Sequence, residues 1–202
     1  MKLFLTSTGF TNKKIAHTFL QCLNLPIAEN RILIVAYAKN AKEEFYVEES
    51  KKEIQGLGFV DIIVLNMNST FDIRTIGDFD VIYVCGGNTF SILDKMRQMG
   101  IDRIIIDQVK RGAIYVGVSA GSIMVGPSIE IAGWGTEGDD NEIGLQDLVG
   151  FCLVNLAIFP HYHQALSSEV VDFKKRVEYP VIALTNDQAV YVNSGTIEII
   201  GN

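Results

Sequence analysis

The sequence has few cysteines and no long apolar run. Its three cysteines, Cys22, Cys85 and Cys152, lie far apart without CxxC spacing, which argues against both a disulfide framework and a zinc site. No run of 18 apolar residues could form a membrane helix, and the first apolar segment is interrupted at Thr6, too early for a signal peptide. We therefore expect a cytoplasmic protein that does not enter the membrane, with Cys22 and Cys152 buried as small apolar side chains.

Basic residues are also scarce. The 202 residues include 17 Lys and Arg against 24 Asp and Glu, a net charge of -7, and the basic residues are scattered. A nucleic-acid surface needs clustered basic residues, so we expect no nucleic-acid partner. The 48% hydrophobic and 20% charged residues match an average globular domain, which argues against a disordered or coiled-coil chain. Residues 1–202 should form a single domain, either a monomer or a homodimer.

Short β-rich runs alternate with stretches of helical period along most of the chain. The runs RILIVAY, from residue 31, and DVIYVCGG, from residue 80, are apolar almost throughout, as is typical of parallel strands buried on both faces. The pattern predicts an α/β protein, a three-layer α/β/α sandwich with a mostly parallel sheet. Two further β-rich segments flank Asn193, Ser194 and Gly195 and predict a C-terminal β-hairpin.

Two helices and a long loop are predicted in the second half of the chain. One helix should begin near residue 121, and another should run over about 164–178. The polar, glycine-rich residues 133–150 predict a loop that leads into a short helix. Ligands of a parallel sheet bind outside the carboxyl ends of its strands. The segments that follow the strands are therefore the first candidates for a functional site.

One such segment, GVSAG at residues 117–121, places Ser119 between a predicted strand and a predicted helix. A GxSxG sequence in this setting is typical of a nucleophile elbow, a tight turn that holds the serine in strained dihedral angles. Gly117 and Gly121 would remove side chains that otherwise collide across the turn. The start of the following helix would favour negative charge beside the hydroxyl. The alternative is an ordinary strand-to-helix connection.

A second segment, CGGNTF at residues 85–90, follows another strand. Its two glycines let the backbone approach a neighbouring group, so an amide here could join that of Ala120 in holding an oxyanion. It could equally be a turn in which Asn88 or Thr89 caps the next helix, and the two interpretations are compatible. Neither glycine-containing segment matches a dinucleotide-binding or Walker A sequence, so we expect no nucleotide.

Two other strand ends carry candidate partners for a serine. His161 and His163 follow one strand, and His161 is favoured as a base because it follows the strand directly after Pro160. Asn186 and Asp187 follow another strand and could orient an imidazole. The alternative for this pair is a simple turn into the next strand.

Taken in order, GGNTF, GVSAGS, a downstream GL segment with PHY, and the late Asn-Asp pair resemble peptidase family S51, the serine peptidases that include dipeptidase E and cyanophycinase. The order serine, histidine, third member separates this family from α/β-hydrolases, in which the acid precedes the histidine. The resemblance covers most of the chain and implies a sheet similar to that of class I glutamine amidotransferases. It also implies Ser119 as nucleophile, His161 as general base and acid, and the amides of Gly87 and Ala120 as the oxyanion hole.

Two positions depart from the family pattern. Dipeptidase E-like proteins carry Glu where this chain has Asn186, so the third member is either Asn186 or the adjacent Asp187. An Arg that could pair with an acidic substrate is replaced by Glu130, which would repel such a substrate and favour a basic one. We expect Asn88 and Glu130 to contact the substrate.

The resemblance leads us to expect a serine peptidase that cleaves an amide bond in short peptides without a metal or organic cofactor. One alternative is a catalytically impaired relative that acts as a binding or regulatory protein, which the departure at Asn186 favours. Another is a protein that uses cysteine chemistry on the related sheet. Cys85 would serve there, although such families place Cys at the position of Ser119.

Overall fold

The computed structural model describes residues 1–70 and 76–201. Its strands are β1 Lys2–Thr6, β2 Arg31–Ala36, β3 Asp61–Asn66, β4 Val81–Val84, β5 Ile114–Val118, β6 Ala157–Phe159, β7 Val181–Ala183, β8 Gln188–Asn193 and β9 Thr196–Gly201. Its helices are α1 Lys13–Gln21, α2 Ala41–Gly56, α3 Thr89–Met99, α4 Ile101–Arg111, α5 Ala120–Ile123 and α6 Ser167–Lys174.

Seven strands form one sheet in the order β3-β2-β4-β5-β1-β8-β9. The first five are parallel, whereas β8 is antiparallel to β1 and β9 is antiparallel to β8. The turn between β8 and β9 contains Ser194 and Gly195, both with positive φ. The predicted mostly parallel α/β sheet and the C-terminal hairpin are thus confirmed.

Alternate residues of each central strand enter two apolar cores. Leu3 and Leu5 of β1 belong to the core that contains side chains of α3, α4 and α6. Phe4 belongs to the opposite core, where Phe19 of α1 and Ile54 of α2 are buried. Because both faces of the sheet are covered, its central strands are apolar at almost every position.

The second half of the chain differs from the prediction in two ways, although helix α5 begins at Ala120, close to the predicted residue 121. Strands β6 and β7 leave the main sheet and pair with each other as a small parallel sheet. No helix forms over residues 134–150, which are fully described, so the predicted short helix is wrong. Gly135 and Gly144 adopt positive φ there, which a right-handed helix does not allow.

The cysteines also differ from the prediction. Cys85 is buried and Cys22 is half-buried, but Cys152 is exposed, so its predicted burial is wrong. The neighbours Phe151 and Leu153 both point into the core, which leaves the intervening side chain on the outside. In the part of the chain that the structure covers, every helix is too short or too polar to cross a membrane.

Candidate active site

Ser119 lies on a strained turn between β5 and α5. Its backbone has φ 50° and ψ -108°, a conformation that residues with a side chain rarely adopt. A Cβ at Gly117 would lie 2.5 Å from the carbonyl oxygen of Gly121, and a Cβ at Gly121 would lie 2.4 Å from that of Val84. Gly117 is therefore required by the turn itself, as the sequence predicts, whereas Gly121 is required by the close approach of the turn to β4.

Hydrogen bonds from three elements hold this turn. The backbone amide of Ser119 donates to the carbonyl of Thr6 over 2.9 Å, which ties the turn to the end of β1. The buried hydroxyl of Ser122 lies 2.8 Å from the carbonyl of Gly117, and the hydroxyl of Tyr115 donates to that of Gly121 over 2.7 Å. These bonds offset the strain by satisfying backbone groups that the turn leaves unpaired.

His161 follows β6 and reaches the Ser119 hydroxyl. Its Nε2 lies 2.9 Å from Ser119 Oγ, within the range for proton transfer. His161 has φ 56°, and its backbone amide donates over 3.2 Å to the hydroxyl of Ser7, which itself donates to the carbonyl of Leu184. The buried Ser7 thus links the loop after β6 to the segment after β7.

Asn186, rather than Asp187, contacts the other nitrogen of the imidazole. Its Oδ1 lies 2.8 Å from His161 Nδ1. An amide oxygen can only accept, so a hydrogen bond here requires the tautomer with the proton on Nδ1, in which Nε2 can accept from the serine. Thr8 holds this loop by donating to the Asn186 carbonyl over 2.7 Å. Asp187 is exposed, and its backbone carbonyl accepts from the side chain of Asn12.

The segment after β4 approaches Ser119 closely. A Cβ at Gly86 would lie 3.2 Å from Ser119 Cβ, so a glycine allows this approach. Gly87 has φ 138°, and neither its amide nor that of Ala120 donates to an acceptor within residues 1–70 and 76–201. Asn88 caps α3 by accepting from the amide of Ser91, and it also lines the cleft described next.

A cleft of about 1030 Å³ opens beside Ser119 along the carboxyl edge of the sheet. Gly87, Asn88 and His161 line it together with Ser119, and several residues of α2 line it as well. Glu130 is not among the lining residues. Its carboxylate instead accepts from the guanidinium of Arg176 over 2.9 Å, so its charge is paired with a residue that does not line the cleft either.

A half-buried carboxylate lies in the α2 side of this cleft. Glu53 accepts from the backbone amide of Phe10 over 2.9 Å and from the hydroxyl of Tyr83 over 3.2 Å. Burial raises the pKa of Glu53 above its ordinary value, although both hydrogen bonds oppose the shift. Burial also raises the pKa of Tyr83, and it raises that of the Cys85 thiol to about 12. Cys85 is therefore a neutral thiol at physiological pH and a poor nucleophile.

Sequence reasoning missed two residues that support the site, Ser7 and Thr8. Both follow β1, and their hydroxyls bond to the loops that carry His161 and Asn186. Their signal was the hydroxyl-rich run TST, which begins with the last residue of a buried strand. His163, the other candidate base, lies apart from the serine and bonds through Nε2 to Glu137 over 3.0 Å.

An α/β fold with a serine on a strained strand-to-helix turn, in contact with a histidine, defines a protein of the serine-hydrolase class. The model of peptidase family S51 matches residues 3–200. The chain therefore belongs to this family of serine peptidases.

Individual relatives agree with the family. The uncharacterized peptidase Lmo0363 of Listeria monocytogenes is 29% identical over 73% of this chain and 74% of that protein. The uncharacterized peptidase PM1590 of Pasteurella multocida is 28% identical over 87% of each chain. Peptidase E of Shigella flexneri is 34% identical, and the match covers 60% of this chain and 50% of that protein.

Solved structures share the fold. A candidate peptidase E of Listeria monocytogenes EGD-e superposes with a TM-score of 0.78 and 25% identity, covering 100% of this chain and 98% of the other. A peptidase from an acI-B1 Actinobacterium gives a TM-score of 0.69 over 100% of this chain and 87% of the other. Its identity is 16%, so this second likeness concerns the fold alone.

Proposed function

We propose that this protein hydrolyses an amide bond in short peptides, with Ser119 as the nucleophile and His161 as the base. The observation that carries the proposal is the 2.9 Å contact between Ser119 Oγ and His161 Nε2, made by a serine on a strained turn. A cleft of about 1030 Å³ beside this pair is at the upper end of sites for small ligands and suits a peptide of few residues.

In the first half of the reaction, Ser119 Oγ attacks the peptide carbonyl while its proton passes to His161 Nε2. The carbonyl oxygen becomes an oxyanion, and the amides of Gly87 and Ala120 are the proposed donors to it. The C–N bond then breaks as the proton on Nε2 passes to the leaving amine. An acyl group remains on Ser119.

In the second half, a water molecule attacks the acyl group and gives its proton to Nε2. The bond between Ser119 Oγ and the acyl carbon breaks, and Oγ recovers the proton. Asn186 keeps Nδ1 protonated throughout, which preserves the orientation that both proton transfers require. Unlike a carboxylate, it adds no negative charge to stabilise the imidazolium.

The test is hydrolysis of a library of dipeptides and blocked amino-acid amides by the wild type and by Ser119→Ala. Ser91→Ala is the matched control, because Ser91 lines the same cleft. The substitution keeps the hydrogen bond that caps α3, since the donor to Asn88 is the backbone amide of Ser91 and not its hydroxyl. We expect cleavage that disappears in Ser119→Ala and persists in Ser91→Ala. Absence of cleavage throughout would favour a binding or regulatory protein, for which the amide at Asn186 would be the reason.

A further inference from the structure

Two carboxylates in the cleft, Glu43 and Glu53, form no ion pair within the described residues, and Glu53 is the one whose donors come from other elements of the fold. Six charged side chains line the cleft, namely Lys39, Lys42, Lys52, Glu43, Glu49 and Glu53. Glu49 pairs with Lys52 over 2.8 Å, and Glu43 accepts from the backbone amide of Lys39 next to the N-terminus of α2. In the part of the chain that the structure describes, no Lys, Arg or His forms an ion pair with Glu53.

The surroundings of Glu53 also hold its carboxylate in place. Phe10 donates to Oε1 and Tyr83 to Oε2, so each oxygen has one neutral donor and capacity for another. Gly9 has φ 80°, a backbone conformation that favours glycine, and a Cβ there would lie 2.6 Å from Oε2, so the chain passes close to the carboxylate. The carboxylate is thus fixed by α2, β4 and the loop after β1, and it still lines the cleft.

When Glu53 is ionised, no cationic side chain among the described residues pairs with its carboxylate. Removing it from water is unfavourable, and two neutral donors compensate for this only in part, as the raised pKa of Glu53 reflects. A cation that enters the cleft would supply the missing interaction and would gain charge-assisted hydrogen bonds. The acid that the sequence points to, Glu130, already has Arg176 as its partner.

We propose that Glu53 binds a positively charged group of the peptide substrate, either a free α-amino group or a basic side chain. This inference rests on the proposed function for its role in catalysis, since it assigns a substrate class to the same cleft. It makes Glu53 a specificity-determining residue, and it predicts that the protein prefers cationic peptides to their neutral analogues.

The test compares matched substrates built on the best peptide of the library. One pair differs only in N-terminal acetylation, and a second, with both members acetylated, carries Lys in one and the uncharged norleucine in the other. We expect the wild type to have a higher kcat/KM for the cationic member of one pair. A difference within the first pair identifies the α-amino group as the cation that is bound, and a difference within the second identifies the basic side chain. Glu53→Gln should reduce that preference roughly ten- to a hundredfold, because it removes the charge and keeps an oxygen to accept from Phe10.

The matched control is Glu44→Gln, which removes the same charge from an exposed position of α2 that does not line the cleft and should leave the preference unchanged. Equal kcat/KM for both members of both pairs in the wild type would overturn the proposal. So would a Glu53→Gln variant that loses activity equally on charged and neutral substrates, since that result indicates a structural role.

Binding separates this inference from the proposed function. In Ser119→Ala no hydrolysis occurs, and calorimetry with the same four peptides measures affinity alone. Tighter binding of the cationic member, lost in Ser119→Ala/Glu53→Gln, supports the inference even if no peptide is cleaved by the wild type. Equal affinity for charged and neutral peptides contradicts it, whatever the catalytic result.

Discussion

The imidazole of His161 lies between a serine hydroxyl and a neutral amide: Asn186 Oδ1 is 2.8 Å from Nδ1, and Ser119 Oγ is 2.9 Å from Nε2. In the proposed mechanism, the amide orients the ring for both proton transfers without adding charge. In a serine-histidine-acid triad the carboxylate both orients the ring and stabilises its cation, so this arrangement separates the two contributions.

Replacing Asn186 tests that separation. Asn186→Asp should raise kcat and move the acid limb of the pH–rate profile to higher pH, because a carboxylate stabilises the imidazolium that forms during attack. Asn186→Ala should lower kcat by roughly tenfold or more, since the ring loses its orienting contact. Steady-state kinetics from pH 5 to pH 9 measure both effects. Asp187→Asn is the control, and a larger effect there than at Asn186 would show that the wrong residue has been assigned.

The elbow glycines should be intolerant of a methyl group. In Gly117→Ala the new Cβ would lie 2.5 Å from the Gly121 carbonyl oxygen, and relieving this backbone clash should lower the free energy of unfolding by roughly 1–3 kcal/mol. Gly56→Ala is the control because nothing lies within 4 Å of its Cβ position at the end of α2, and it should stabilise by about 0.5–1 kcal/mol. Urea unfolding of both variants measures the difference. Equal stability would mean that the turn relaxes without strain.

The raised pKa of Glu53 predicts a pH-dependent stability. Between the ordinary pKa of a glutamate, about 4.3, and the higher value in the folded protein, the folded state binds more protons than the unfolded state. The contribution of Glu53 to stability therefore falls as the pH rises through this window. The free energy of unfolding of Glu53→Gln minus that of the wild type should increase with pH and then level off. Denaturant titrations from pH 4 to pH 8 measure it, and a difference that decreases would contradict the assignment.

The sequence predicts the elbow well because its constraints are local. Gly117 and Gly121 surround Ser119 in the chain, and the clash that Gly117 avoids arises within the same turn, whereas the one that Gly121 avoids is with Val84 of the neighbouring strand β4. The apolar runs likewise predict the parallel sheet, because strands that are buried on both faces are apolar at nearly every position.

Contacts between distant loops were not predictable in the same way. The choice between Asn186 and Asp187 depends on the direction of one turn, which Thr8 fixes from 178 residues away. The partner of Glu130 depends on where α6 ends, since Arg176 follows that helix by two residues. Glu53 belongs to no sequence motif. Its place in the cleft could not be predicted because it depends on contacts with Tyr83 and with the loop that contains Gly9, both of which are distant in the chain.

The central claim is that His161 activates Ser119, and labelling with a fluorophosphonate probe tests it most directly. We expect the wild type to be labelled once, at Ser119 by peptide mapping, and Ser119→Ala to remain unlabelled. His161→Ala should react at least about a hundredfold more slowly, because the hydroxyl loses its base. Labelling of His161→Ala at the wild-type rate, or of another residue in the wild type, would contradict the account.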